Sequence, residues 1–438
     1  MFRYYTWLAL RSLRRNPALT ALMVAAIGLG IGASMTTLSL FRAMSGDPIP
    51  DKSSQLFVPQ IDNWGPDARE KPGEPGADML TYTDAKALLD AHAAPRQAAM
   101  YATGFAIAPA DPAQRPFRTD GRATSADFFA MFKVPFRFGS GWGAQADTDR
   151  SDVVVLSKDI NDKLFGGADS VGRTVRMDNR DYRVVGVLDA WAPQPRFYDV
   201  MDEDFGDPEG VFLPFSTAIG LHQDIWGNNN CHGSIDAKPG WEGHLNSECV
   251  WIQYWAELPD AAQAQRYRAM LDAYAAEQQR LGRFHWAPLT KLSNVRQWLV
   301  LEHVVPDESR VTVVLSFGFL FVCLVNAVGL MLAKFMTRSA EIGVRRAIGA
   351  NRRAIFTQCL VEAGVIGLAG GLLGLLLTAA GLAGMRGLLS QEIAALAHLD
   401  TVDVLATMAL AVAAAVLAGL YPTWRAAQVQ PAWQLKSN

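Results

Sequence analysis

Four stretches of this chain are too apolar to belong in water. Residues 17–41, PALTALMVAAIGLGIGASMTTLSLF, carry no charge, and at the rise of an α-helix they reach about 35 Å, enough to cross a bilayer. Residues 311–333, 364–385 and 404–420 have the same character, the last being short for a span. Half of all residues are hydrophobic, but it is their segregation into these blocks that constrains the fold. The first block predicts a retained anchor rather than a cleaved signal, because its apolar core is long and no small-x-small site precedes RAMSGDPIP.

Charge sets the orientation. Arg3, Arg11, Arg14 and Arg15 precede the first block. Lys334, Arg338, Arg345, Arg346, Arg352 and Arg353 lie between the second and third, and Arg425 and Lys436 follow the fourth. These groups are expected on the cytoplasmic side. Glu392, Asp400 and Asp403 lie in a connection without lysine or arginine, which fits an outer loop. The net charge of −3 averages a basic inner surface with a more acidic exterior, and no nucleic-acid footprint is visible.

The expected division follows. Residues 1–16 form an amphipathic lead-in helix, and spans cover 17–43, 310–334, 359–386 and 403–421. An outer domain covers 44–309 with a second subdomain around 216–290, an inner segment covers 335–358, an outer loop 387–402 and an inner tail 422–438. In FRYYTWLALRSLRR the arginines gather within roughly 120° of the helix, which fits a helix lying on the membrane surface as well as a topology signal. Gly28 and Gly32 in the first span, and Gly367, Gly370, Gly371 and Gly374 in the third, allow close helix approach within one subunit or between two. Asn326 lies deep in the second span and Glu362 at the mouth of the third.

The outer domain reads as α+β. DVVVLS suits a buried strand, KDINDKLFGG a helix stopped by glycines, and RTVRMDNRDYRVVGVLD a hairpin turning at Asp178 and Asn179. TYTDAKALLDAH and TSADFFAMF read as helices capped by Thr83 and Ser125, and PDAAQAQRYRAMLDAYAAEQQRLG as one long polar helix. Cys231 and Cys249 lie in the part expected outside, where disulfides persist, and are expected to pair. His222, His232 and His244 lie near them and keep a metal site open, although the spacing fits no standard zinc pattern.

No nucleophile elbow, HExxH or paired CxxC motif occurs. None of the lysines follows a glycine, so the phosphate-cradling GxxxxGK[ST] is absent from these residues. The chain itself is expected to bind no cofactor and catalyse nothing.

The segment EIGVRRAIGANRRAIFTQCLVEA resembles the cytoplasmic loop of permeases of the MacB/FtsX type in the ABC transporter superfamily. RSLRRNPALTAL resembles that family's lead-in to its first span, and YPTWRAAQVQPAWQL its closing pattern. TYTDAKALL, ATSADFFAMFKVPFRFG, the stretch from VVVLSKDIND to DYRVVGV, and VFLPF look like pieces of its periplasmic core domain, while CHGSIDAKPGWEGHLNSEC matches no family motif. The resemblance implies an α-helical membrane domain of four transmembrane helices in a bacterial inner membrane, both termini cytoplasmic. A large α+β periplasmic domain, a MacB-type core with a second subdomain, is inserted between helices 1 and 2.

It also implies that the inner segment docks a separate ABC ATP-binding subunit, present in two copies, which holds ATP and magnesium. The coupling residues are then Glu341, Ile342, Gly343, Val344, Arg345, Arg346, Ala347, Ile348, Gly349 and Ala350. Val344, Ala347 and Ile348 share one side of that helix, Arg345 and Arg346 can pair with acidic partner residues, and Gly349 ends the helix. A second copy or a sister permease, membrane lipid, a periplasmic adaptor and an outer-membrane channel complete the implied partners. Export of antimicrobial compounds or peptides is the implied job; control of a periplasmic cell-wall hydrolase, as by FtsX, and lipoprotein release are the alternatives.

Overall fold

The structure, a computed structural model, describes residues 11, 15–69, 71–112, 114–232, 239–385 and 401–428. Most of the lead-in helix, the outer loop at 387–400, the end of the tail with Lys436, and residues 233–238 of the cysteine loop lie outside the described residues. The chain divides into two compact units, Met1–Ser45 with Val305–Asn438, and Gly46–Val304.

Helix α1, Pro17–Met44, opens the first unit; Pro17 starts it without needing an N–H partner. The second unit is built on a ten-stranded sheet. Its elements are β1 (Leu56–Ile61), α2 (Tyr82–Ala91), β2 (Arg96–Ala108), β3 (Phe117–Thr124), α3 (Phe128–Met131), β4 (Phe136–Gly139), α4 (Ala144–Thr148), β5 (Val153–Leu156) and α5 (Lys158–Phe165). After these come β6 (Thr174–Met177), β7 (Arg180–Leu188), β8 (Val211–Pro214), α6 (Phe215–Gly220), α7 (Trp241–Leu245), β9 (Gln253–Glu257), α8 (Ala261–Arg280), β10 (Thr290–Asn294) and α9 (Val295–Leu301). The strand order is β10-β1-β9-β2-β3-β8-β5-β7-β4, with β6 against β2 and β7. Among the described residues, only the β3–β8 and β5–β7 pairs are parallel.

The expected hairpin forms as β6–β7. Asp178 and Asn179 both take positive φ, which matches the right-handed twist of the paired strands and sets Val175 opposite Tyr182. On α8, Tyr267, Leu271 and Ala275 recur every fourth residue and form its buried stripe. Two expected caps move. Thr81, not Thr83, caps α2 by accepting the N–H of Asp84, and Ser125 instead receives the N–H of Ala99. The segment expected as a second subdomain, 216–290, contributes β9, which pairs with both β1 and β2, so one sheet runs through the whole unit.

A cluster of charged and polar side chains is buried in this unit. Arg122 on β3 donates to Glu209 at 2.5 Å and to Gln253 of β9 at 3.1 Å, and it also pairs with Asp199; Arg196 reaches Glu209 at 2.9 Å. Burial pushes the Glu209 carboxyl up, but the two guanidinium groups outweigh it and hold the carboxyl below its usual range.

Back in the first unit, α10 (Asp307–Met336), α11 (Ser339–Ala347), α12 (Arg352–Met385) and α13 (Thr401–Ala427) follow. With α1, the long helices α10, α12 and α13 make four segments long and apolar enough to cross a membrane. The expected last span was marginal because hydropathy stops near Tyr421; the helix itself continues through Pro422 to Ala427. Helices α1 and α12 meet through their glycines. A Cβ on Gly28 or Gly32 would lie 2.8 Å from Leu373 or Leu377, and one on Gly370 or Gly374 would press on Ile27 or Ile31 at 2.7 and 2.9 Å. The small residues therefore serve contact within one chain. Ser34 donates to the carbonyl of Ser316 at 2.9 Å, tying α1 to α10.

Candidate coupling site

The inner segment folds as a short helix followed by a tight turn into α12. Helix α11 stops where Gly349 takes φ of 107°, a conformation that side chains disfavour. There the N–H of Ala350 reaches the carbonyl of Arg345 at 3.0 Å, and that of Gly349 reaches Arg346 at 3.1 Å. This pair of bonds is a Schellman closure, so Gly349 ends the helix as its position predicts. Asn351 then caps α12 by accepting the N–H of Ala354 at 2.7 Å.

The two sides of α11 differ. Ile342 and Gly343 are buried, whereas Val344, Ala347 and Ile348 are exposed, Ile348 to 81%. Three apolar side chains thus project from a short basic helix, grouped as their spacing predicts.

The charged residues are less available than the sequence suggests. Arg345 donates to Glu341 at 2.6 Å, one turn back, and to Gln358 of α12 at 3.0 Å. Glu341, in the first turn where the helix dipole favours an anion, also receives Arg15 at 3.0 Å and lies 3.7 Å from Arg338. Arg338 reaches Glu362 of α12 at 3.5 Å. Glu362 is paired with Lys334 of α10 at 2.6 Å, both side chains almost wholly buried, and Lys334 reaches Thr20 of α1 at 3.3 Å.

A chain of charges therefore runs from α11 through Arg338 and Glu362 to Lys334, touching three membrane helices. The sequence placed Glu362 at the mouth of a span but missed its partner. The available signal was that Lys334 and Glu362 end two apolar blocks on the same side, where an uncompensated buried charge would be costly.

In the second unit Cys231 and Cys249 are disulfide-bonded. The nearby histidines do not converge: His222 stacks on Trp241, His232 on Trp64, and His244 packs beside Trp251. Among the described residues no group of three or more His, Cys, Asp or Glu side chains is placed to hold a metal ion.

A family profile described as the MacB-like periplasmic core domain matches residues 20–274, and the FtsX-like permease C-terminal profile matches residues 313–431. The chain belongs to the MacB-like periplasmic core domain family. With the second match, it is a MacB/FtsX-like ABC transporter permease, with an α+β periplasmic core domain between its first and second spans.

The permease is 24% identical over 440 residues to the macrolide export ATP-binding/permease protein MacB of Azoarcus sp. (strain BH72), an alignment covering 98% of this chain and 59% of that relative. Against MacB of Marinobacter nauticus it is 24% identical over 438 residues, covering 98% and 60%. The permease thus spans about three fifths of the length of these curated relatives. Among solved structures, the periplasmic region of MacB from Actinobacillus actinomycetemcomitans aligns with 59% of the chain and 96% of its own length, at 12% identity and a TM-score of 0.36.

Proposed function

We propose that this permease couples ATP hydrolysis by a cytoplasmic ATP-binding partner to movement of its periplasmic core domain, and so drives export. The observation that carries the proposal is α11. It combines exposed apolar Val344, Ala347 and Ile348 with a neighbouring Glu341 that is ion-paired, through Arg338, to Glu362 of a membrane helix. A partner seated on that face pushes on Arg338 and Glu341, and the Lys334–Glu362 pair carries the displacement to α10 and α12. ATP and magnesium are held by two copies of the partner, and this chain contributes no catalytic group. Both termini and α11 face the cytoplasm in this reading, which the positions of lysine and arginine support. Asn326, on the exposed side of α10, is covered by a second permease copy, because its amide would otherwise face hydrocarbon. The relatives' printed name, macrolide export ATP-binding/permease protein, favours an antimicrobial compound as the cargo; in this proposal a peptide is the other cargo, and an adaptor and an outer-membrane channel complete the route.

The test is purification of the full chain from its own host in mild detergent beside a Val344→Glu, Ile348→Glu variant, with mass spectrometry of everything retained. An ATP-binding protein that accompanies the wild type and is lost from the variant supports the reading. Equal retention by both, or no ATP-binding protein with either, contradicts it.

A further inference from the structure

The periplasmic core domain contains a cavity of ≈ 350 Å³, within the size range of small-molecule sites. Pro109 just past β2, Leu164 and Phe165 at the end of α5, and Val175 of β6 give it apolar walls, and Thr174, Arg176 and Asp181 add polar ones. The polar side is cationic and open to solvent. Arg173, the residue before Thr174, is exposed and holds its guanidinium over the Phe165 ring, 4.9 Å from the centroid. Among the described residues no carboxylate pairs with it. Arg176 is exposed as well and meets Asp181 at 3.5 Å through one nitrogen, which leaves most of the five N–H donors of its guanidinium to other partners.

The backbone that carries Arg173 is fixed. Its N–H donates to the carbonyl of Ser170 and its carbonyl receives the N–H of Val184 on β7, both at 2.9 Å. Gly172 takes φ of 84° to make this turn, and its N–H reaches the carbonyl of Val184 at 2.8 Å. Ser170 donates to Asn161 of α5 at 2.5 Å, so the turn is tied to the helix that supplies Leu164 and Phe165. A guanidinium held in this way loses little freedom when it takes up a carboxylate, which its planar fork matches with two parallel bonds. Lys163, the residue before Leu164, is a further exposed cation; its ammonium lies 3.2 Å from the Phe117 ring centroid and, among the described residues, pairs with no carboxylate. Against these cations the cavity wall sets one carboxylate, that of Asp181. An apolar pocket beside an excess of positive charge attracts an anion with a hydrophobic part.

We propose that this cavity is a binding site for a small organic carboxylate with an aromatic or aliphatic part. Its carboxylate is taken by the Arg173 and Arg176 guanidinium groups, and its apolar part lies against Pro109, Leu164 and Phe165. The assignment goes beyond the coupling role and stands whether or not an ATPase docks at α11.

The test uses the full chain in nanodiscs of zwitterionic lipid, with binding read by saturation-transfer NMR. The probe is 3-phenylpropionate, and 2-phenylethylammonium serves as its cationic counterpart. Saturable binding of the anion is expected, with none of the cation. Arg173→Gln should weaken it about tenfold, the size of one charge-assisted hydrogen bond. Asp181→Asn removes a like charge from an exposed position and should tighten binding about threefold, a gain that misfolding cannot imitate. Arg118→Gln removes another exposed arginine, one that lies over Trp226 and is no part of the cavity wall, and should leave the affinity unchanged. Absence of saturable anion binding, equal binding of the cation, affinity unchanged in both Arg173→Gln and Asp181→Asn, or a loss in Arg118→Gln equal to that in Arg173→Gln overturns the proposal.

Discussion

Asp147 illustrates how much one side chain's surroundings can hide from a reader of sequence. It sits on α4, accepts the N–H of Ala126 at 2.8 Å, and burial pushes its carboxyl up to about 6. The folded chain therefore holds an extra proton between the ordinary aspartate range and about pH 6. Its contribution to stability is present at low pH and is lost as pH rises through that window. Thermal unfolding followed from pH 4 to 7 should show this decline in the wild type and a shallower one in Asp147→Asn. The Lys334–Glu362 pair makes a second residue-scale case. Replacing one member leaves the other charge buried without its main partner, a loss of about 3–5 kcal/mol, whereas the double variant Lys334→Met, Glu362→Met should recover much of it. Chemical unfolding of the detergent-solubilised protein measures the difference, and a double variant as unstable as the sum of the singles would refute the pairing. The burial of Asp147 was not legible beforehand, since it depends on residues far away in the chain, and the Lys334–Glu362 pair left as its trace two opposite charges bounding apolar blocks on the same side.

At the scale of elements, the sequence spoke clearly wherever structure is local. Hydropathy located every span, the Asp178–Asn179 pair located the hairpin turn, and Gly349 located the end of α11. It spoke poorly at helix ends in water, where charged residues do not interrupt a helix: α12 begins at Arg352, well before its apolar block. It was silent on strand order, because β9 lies between β1 and β2 through pairings of residues far apart in the chain, such as Leu56 with Glu257 and Arg96 with Glu257. The α11 face was legible as a pattern, but the bonds of Arg345 to Glu341 and Gln358 within the chain were not. The prediction at this scale concerns Gly349. Any Cβ there strains the closing turn by about 1–3 kcal/mol. Gly349→Ala should therefore speed amide hydrogen exchange in α11 while leaving exchange in β1 unchanged, and equal protection throughout would show that the turn tolerates a side chain.

For the whole molecule, the two units have different sources of order. The membrane unit is held by glycine-mediated helix contacts and a few buried polar ties, and the periplasmic core unit by one long sheet with its own core. In the proposed coupling the handle is α11, with its exposed Val344, Ala347 and Ile348 beside the ion-paired Glu341. The most direct measurement places a photoreactive benzophenone side chain at Ile348 of the full chain in its own host, with Leu405 on the exposed side of α13 as the control position. After irradiation, crosslinking from position 348 to a single ATP-binding protein, with only lipid or nothing captured from position 405, is the result expected. Capture of lipid alone at both positions, or of the same protein from both, would contradict a coupling role for α11.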